Sequence, residues 1–504
     1  MVMVQEARKY QAFYTKSTSI VDYMVSKLSL KNDDKIFEPC GGDGVFIEAI
    51  LDVNEFANID VCELNESAFT VLHNKFAKYS SVHIRRCDTL LDNDLSFNSN
   101  FGGVYDKIIA NPPYGAWQDY DKRDKLKKLF PNLYAKETYA LFLFRCVELL
   151  KDGGILSFII PDTFLNLHMH KGIRQHILTK TKIIELTLFP SSFFPGVNFG
   201  YANLSIITLQ KSGNKNDNLN NQFRVVNGFT NVEQLADTTD KQLKTFSFLQ
   251  SEVFANPDHA FLISDNSKVA ESINHTRLKV GDIANCVTGF YSGDDKTFLQ
   301  VSNPDLKNGK NYNLVDTKSI NRDYQNIPNI LDGIDGEKHF LPIVKGGNTK
   351  YLKPEGWFMN WSKEAVKHYK TDKKARFQNP QFYFKFGVGV PMISSTSITA
   401  SLIENKLFDQ SIVGIFPKDE ALTYYLLAFF NSPTCNTIIR TINPSANNPA
   451  NYIKKIPFIM PDYKAKERIT NFVVEILKSI KMKGNYEKGI EAEVNSFVKN
   501  LYGF

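Results

Sequence analysis

The sequence predicts an α/β protein whose first part is a doubly wound, mostly parallel sheet and whose second part is a mixed α+β module. Three observations predict it. Short apolar runs alternate with amphipathic helical stretches over residues 1–211. A glycine-rich turn separates the first run from the helix after it. After SGNKNDNLNN (212–221), the runs shorten, turns multiply, and glycine clusters with aromatic residues.

The elements follow in order. DKIFEPC, ANIDVCE, SVHIRRCD, DKIIANPP, GILSFIIP, KIIELTLF and NLSIITLQ each fit one buried strand. ETYALFLFRCVELL fits a helix from Thr138 to Leu150, ended by Asp152-Gly153-Gly154. The expected division is a first domain over 1–211, a linker at 212–221, a second domain over 222–462 and a charged helical segment over 463–504. A length of 504 residues allows roughly two to four domains. With 43% apolar and 23% charged residues, a disordered or fibrous chain is excluded.

The formal net charge is +6. Residues 1–210 hold 23 basic and 24 acidic groups, whereas 211–504 hold 37 and 30. A charge-balanced module is thus joined to one suited to a polyanion. The start MVMVQEARKY carries no apolar leader, and the densest apolar run, Leu422 to Phe430, is far below the ~20 residues of a membrane span. The six cysteines form no C-x-x-C pair, so neither a metal site nor a disulfide framework is expected and a cytoplasmic setting is.

Strand ends hold the candidate chemistry, because open α/β sheets bind ligands there. Glu38-Pro39-Cys40-Gly41-Gly42-Asp43-Gly44 lies between a strand and a helix. Its glycines allow a tight turn, and its acid favours a cationic ligand over a phosphate. Glu63, about twenty residues past the turn, is placed to accept both hydroxyls of a ribose. Asp88 ends the third strand, as a turn initiator or as an acceptor for an amino group. Asn111-Pro112-Pro113-Tyr114 ends the fourth. Its prolines remove two N–H donors, leaving the Asn111 side-chain oxygen and the Pro112 carbonyl as acceptors beside an aromatic ring. Such a turn suits a planar group with an exocyclic amine.

Together, Glu38 to Gly44 and the later Asn111-Pro112-Pro113-Tyr114 resemble the class I Rossmann-like methyltransferases that use S-adenosylmethionine. The resemblance is strongest to the γ-class (TaqI-like) DNA adenine-N6 methyltransferases of bacterial restriction–modification or orphan type. Only 66 residues separate Gly44 from Asn111, whereas nearly 300 follow 212–221, as in that class with its C-terminal target-recognition domain. The resemblance implies site-specific methylation of N6 of a flipped adenine in double-stranded DNA. It implies S-adenosylmethionine bound by Tyr14, Thr15, Glu38, Pro39, Gly42, Gly44, Glu63, Asp88 and Asn111. This sequence has Lys16 where the family usually has proline. Asn111 and Pro112 are implied to hold the target amine, Tyr114 to stack on the base, and Phe194 or Phe193 to pack on its other side.

Residues 345–390 combine ten Lys/Arg with three Asp/Glu and ten aromatics. Lys350, Lys353, Lys373, Lys374, Arg376 and Lys385 are the candidate phosphate contacts. They are interleaved with Trp357, Trp361, Phe382 and Phe384, which suit either base stacking or a core. Lys122-Arg123-Asp124-Lys125-Leu126-Lys127-Lys128 suits a loop at the DNA or a solvated helix face, and His168-Met169-His170 a surface pair without metal. The expected partner is double-stranded DNA, with a cognate restriction endonuclease optional and no membrane. The expected state is a cytoplasmic, nucleoid-associated monomer of bacterial or phage-like origin. Competing expectations are methylation of protein glutamine or RNA amino groups, or a DNA-binding protein without catalysis.

Overall fold

The structure, a computed structural model, describes residues 15, 17–92, 103–114, 120–194, 203–264, 267–394, 397–443 and 446–504. The chain forms two compact units, Met1–Leu262 and Ile263–Phe504.

Among the described residues, the first unit has nine strands: β1 Lys35–Glu38, β2 Asn58–Glu63, β3 Val82–Arg86, β4 Tyr105–Ala110, β5 Leu150–Pro161, β6 Thr181–Phe189, β7 Leu204–Lys211, β8 Gln222–Asn227 and β9 Lys244–Leu249. Their order is β3-β2-β1-β4-β5-β7-β6-β8-β9. β3, β2, β1, β4 and β5 run parallel, while β7 lies antiparallel between β5 and β6. The chain leaves β1 toward β2 and β3, then returns to β4 on β1's other side. In open α/β sheets, ligands bind at such a reversal, outside the carboxyl ends of the strands, here β1 and β4. Both strands are apolar in sequence because both faces are covered.

Helix α1 (Thr18–Ser26) precedes β1, and helix α2 (Val45–Val53) follows the glycine turn. Its Phe46, Ile47, Ile50 and Leu51 are buried at helical spacing. Helix α3 (Glu66–Phe76) is capped by the Asn65 side chain, which accepts from Ala68 N. Helix α4 (Tyr120–Leu129) carries the basic segment and buries only Leu126. Helix α5 (Thr138–Leu149) runs straight into β5, which begins at Leu150 before the Asp-Gly-Gly expected to end the helix. Helix α6 (Lys171–Lys180) leads into β6.

The boundary expected at 212–221 is corrected. Those asparagines are structural. Asn214 caps a short helix, Lys215–Leu219. Buried Asn218 donates to the Thr179 and Ser212 carbonyls, and Asn221 to the Ile183 carbonyl. β8 then pairs with β6, and β9 with β8. A polar composition here satisfies backbone groups inside the sheet layer, and the division falls between Leu262 and Ile263.

A disulfide, also against expectation, joins Cys62 to Cys87, with Cα atoms 5.6 Å apart. Neighbouring parallel strands bring together two cysteines 25 residues apart.

Among the described residues, the second unit has two four-stranded sheets. Its strands are β10 Ala284–Thr288, β11 Leu299–Val301, β12 Phe340–Val344, β13 Trp357–Asn360, β14 Phe386–Pro391, β15 Ser401–Glu404, β16 Leu407–Phe408 and β17 Ile412–Pro417. They order as β10-β17-β14-β15 and β11-β13-β12-β16. Helices Tyr463–Lys483 and Lys488–Tyr502 end the chain, and Tyr502 stacks on Phe429 at 5.0 Å. The interleaved aromatics serve the core. Trp361 is fully buried and its indole donates to the Ile330 carbonyl at 2.7 Å. Phe382 stacks on Phe416, and Phe384 meets Trp361 edge-on. Among the described residues, no helix is long and apolar enough to cross a membrane, and no three His, Cys, Asp or Glu side chains cluster as metal ligands.

Candidate active site

The turn after β1 is held by its neighbours. Gly41 N donates to the Cys62 carbonyl at 2.9 Å. A Cβ on Gly41 would stand 2.6 Å from Val61 Cγ1. Gly44 has φ 82°, and a Cβ there would stand 2.6 Å from the Phe76 ring. Glycine is required at both positions, at one for space and at the other for space and conformation.

Three acids surround this turn. Glu63 accepts from Gly42 N at 2.9 Å and from Asn65 N at 2.7 Å, so it ties the end of β2 to the glycine turn. Burial raises its carboxyl, opposed by those amide bonds. Glu38 is 2% exposed, and its Oε2 has no hydrogen-bond partner. Burial, with Asp43 and Glu63 nearby, pushes its carboxyl well above the usual range. Asp88 forms an ion pair with Lys122 at 2.6 Å and accepts from Leu90 N. The acidic donor set and the unsatisfied Glu38 oxygen fit a ligand that brings a cationic end, hydroxyls and an amino group.

Because the Glu38 carboxyl is raised in the folded chain, its contribution to stability is present below the ordinary carboxylate value and lost as pH rises through the raised one. Glu38→Gln is therefore expected to flatten the fall in melting temperature of the ligand-free protein as pH rises above the ordinary carboxylate value. An unchanged slope would assign that fall to other groups.

Asn111 follows β4. Its Nδ2 donates to Thr15 Oγ1 at 3.0 Å. Its main-chain carbonyl accepts from Cys40 Sγ at 3.4 Å, linking the two turns. Burial pushes up the Cys40 thiol. Pro112 and Tyr114 are buried. Burial holds the Tyr114 phenol well above its usual value. The Pro113 carbonyl accepts from Thr138 Oγ1 at 2.5 Å. The Pro39 carbonyl accepts from Thr89 Oγ1, also at 2.5 Å. Arg145 donates to the carbonyls of Leu90 and Asp92, which secures the loop after Asp88.

The structure thus brings Thr15, Glu38, Pro39, Gly42, Gly44, Glu63, Asp88, Asn111, Pro112 and Tyr114 to adjoining strand ends. Tyr14 and Lys16 lie outside the described residues. Phe193 stacks on Phe189 at 5.8 Å, while Phe194 is buried at 2% exposure. Thr138, Arg145 and Cys40 escaped the sequence argument, since each acts through a main-chain carbonyl that no motif marks.

The six candidate phosphate contacts divide. Lys373, Lys374, Arg376 and Lys385 are exposed. Lys350 is paired with Glu491. Lys353 donates to the Lys345 carbonyl at 2.6 Å, and burial brings its ammonium down to about 8. These two have partners within their own unit. The histidine pair is corrected: His170 is buried.

Known proteins match this arrangement. The family model described as Eco57I restriction-modification methylase matches residues 24–194. The type II methyltransferase M.AccI of Acinetobacter calcoaceticus is 27% identical over 50% of this chain and 45% of its own length. The chain therefore spans less than half of that relative. The type II methyltransferase M.HindII of Haemophilus influenzae is 22% identical, with 97% of each chain covered. The structure of the DrdV–DNA complex superposes with a TM-score of 0.56 over 94% of this chain and 57% of that one, at 14% identity, a likeness of fold. The turn after β1 and the turn after β4 both lie within the matched segment 24–194, so the part of the chain that carries the candidate site is similar to the Eco57I restriction-modification methylases.

Proposed function

We propose that the chain moves a methyl group from S-adenosylmethionine to N6 of an adenine flipped out of double-stranded DNA. The observation that carries the proposal is the joining of the acidic glycine turn after β1 to the Asn111 turn after β4, at the reversal of strand order. When bound, S-adenosylmethionine supplies an activated methyl on a sulfonium, so the chain need only position and polarise. Glu38 faces the cationic methionine end. Glu63 keeps lone pairs for the ribose hydroxyls beyond the two amides it accepts from. Asp88 meets the adenine amine, in exchange for or beside Lys122.

The target amine is a poor nucleophile because its lone pair is delocalised into the ring. Asn111 Oδ1, aimed by the Nδ2 bond to Thr15, and the Pro112 carbonyl accept its two hydrogens. That geometry favours a pyramidal nitrogen whose lone pair points at the methyl. On this reading Tyr114 stacks on the base once it enters the site, and the base must leave the duplex at a cost of a few kcal/mol. The decisive experiment expresses the chain in a methylation-free host and sequences the genome for modified bases. One N6-methyladenine motif is expected. Labelled methyl transfer to RNA or to a protein, with an unmodified genome, would overturn the proposal.

In the second unit, the exposed Lys373, Lys374, Arg376 and Lys385 serve as phosphate contacts. Replacing Lys373 and Lys374 by glutamine is expected to reduce the slope of log affinity against log salt by about 2, with site preference kept. An unaltered slope in a titration on duplex DNA would remove them from the interface.

A further inference from the structure

We propose that Tyr139 and His170 are positioning residues that hold Tyr114, and the turn it ends, in register for the target base. The inference rests on the methyltransferase reading of that turn. Two contacts connect the first turn of α5 to it. Thr138 Oγ1 donates to the Pro113 carbonyl at 2.5 Å. The Tyr139 ring meets Tyr114 edge-on, with centroids 6.4 Å apart and planes at 87°. An edge set against a ring face fixes the plane of that ring.

The Tyr139 hydroxyl is in turn fixed from behind. It lies 3.1 Å from Thr163 Oγ1 and 2.9 Å from His170 Nε2. His170 is 1% exposed, and its Nε2 also lies 2.8 Å from Glu137 Oε2. The Tyr134 ring stands edge-on to the imidazole at 5.9 Å. His170 Nδ1 is buried without a hydrogen-bond partner. The imidazole proton therefore belongs on Nε2, because a proton on Nδ1 would be a buried donor with no acceptor. From Nε2 it serves the Glu137 carboxylate and the Tyr139 oxygen together.

A core that needs only volume is filled at less cost by apolar side chains. Here Glu137, His170 and Thr163 are all spent on one phenol, and that phenol's ring abuts the base-receiving tyrosine. The path runs from Glu137 through His170 and Tyr139 to Tyr114. None of its first three members lies in the glycine turn or in the Asn-Pro-Pro-Tyr motif.

The test compares His170→Leu, His170→Gln and Tyr139→Phe in the full chain. Three properties are read: kcat against KM for DNA, cofactor affinity by calorimetry, and the ¹⁹F resonance of a fluorotyrosine placed at position 114 alone. His170→Leu is expected to lower kcat by about 10–100-fold and to shift or broaden that resonance, with cofactor affinity unchanged within about twofold. His170→Gln, which restores an N–H near Nε2, is expected to recover most of kcat. Tyr139→Phe keeps the ring edge and loses the hydroxyl, so it carries the same test should His170→Leu fail to fold.

An unmoved resonance and wild-type kcat, with only the melting temperature lowered, would overturn the proposal and leave a purely structural cluster. A wild-type chain that methylates no DNA, but whose resonance moves in His170→Leu, would instead refute the function proposed above and leave the positioning role standing.

Discussion

Asn111→Ala is expected to reduce kcat for methyl transfer by at least about 10²–10³-fold, equivalent to about 2.7–4 kcal/mol of transition-state stabilisation. On the proposed function, the side chain removed would be the acceptor for the developing positive charge on the target nitrogen. Nothing else in the turn can replace it, because Pro112 and Pro113 fix the backbone and offer only carbonyls. Cofactor affinity should survive, since Glu63 and the glycine turn are held by bonds that do not pass through the Asn111 side chain. Thr15→Ala is a graded companion. It removes the hydroxyl that accepts from Asn111 Nδ2 and lets the amide rotate, so a smaller loss, about tenfold, is expected. Single-turnover methylation with labelled cofactor, beside calorimetry of cofactor binding, measures both. Wild-type turnover in Asn111→Ala would remove this residue from the chemistry.

The largest expected effect on stability lies in the second unit. Trp361 is fully buried among Phe290, Tyr369, Phe377, Tyr383 and Phe384, and its indole nitrogen is satisfied by the Ile330 carbonyl. Trp361→Ala is expected to cost about 3–5 kcal/mol, because it deletes the ring contacts, opens a cavity and removes the indole's hydrogen bond to the Ile330 carbonyl. Denaturant unfolding followed by near-ultraviolet circular dichroism reads this directly. A loss below about 1 kcal/mol would mean that the aromatic cluster closes over the gap.

Trp361 also shows why the basic, aromatic stretch was only half legible in the sequence. Composition placed cations and rings together, but their allocation depends on distant partners. Lys350 is held by Glu491, 141 residues away, and Lys353 by a backbone carbonyl. The first unit was more legible because its turns are built from residues that fix backbone geometry locally. Gly44 stands at a left-handed position, and Pro112 and Pro113 follow a strand end. The antiparallel β7, the Cys62–Cys87 pair and the Glu137–His170–Tyr139 path had no such mark. Each is defined by which strands and loops come to lie side by side.

The short helix at Lys215–Leu219 bears on where the chain can be cut. A polypeptide ending at residue 211 would keep every residue of the two motif turns, yet it would lose β8 and β9. The far side of β6 would then present a row of unpaired amides and carbonyls, a template for another copy's strand. Such a fragment is expected to self-associate, whereas one ending at Leu262 carries its own edge strand.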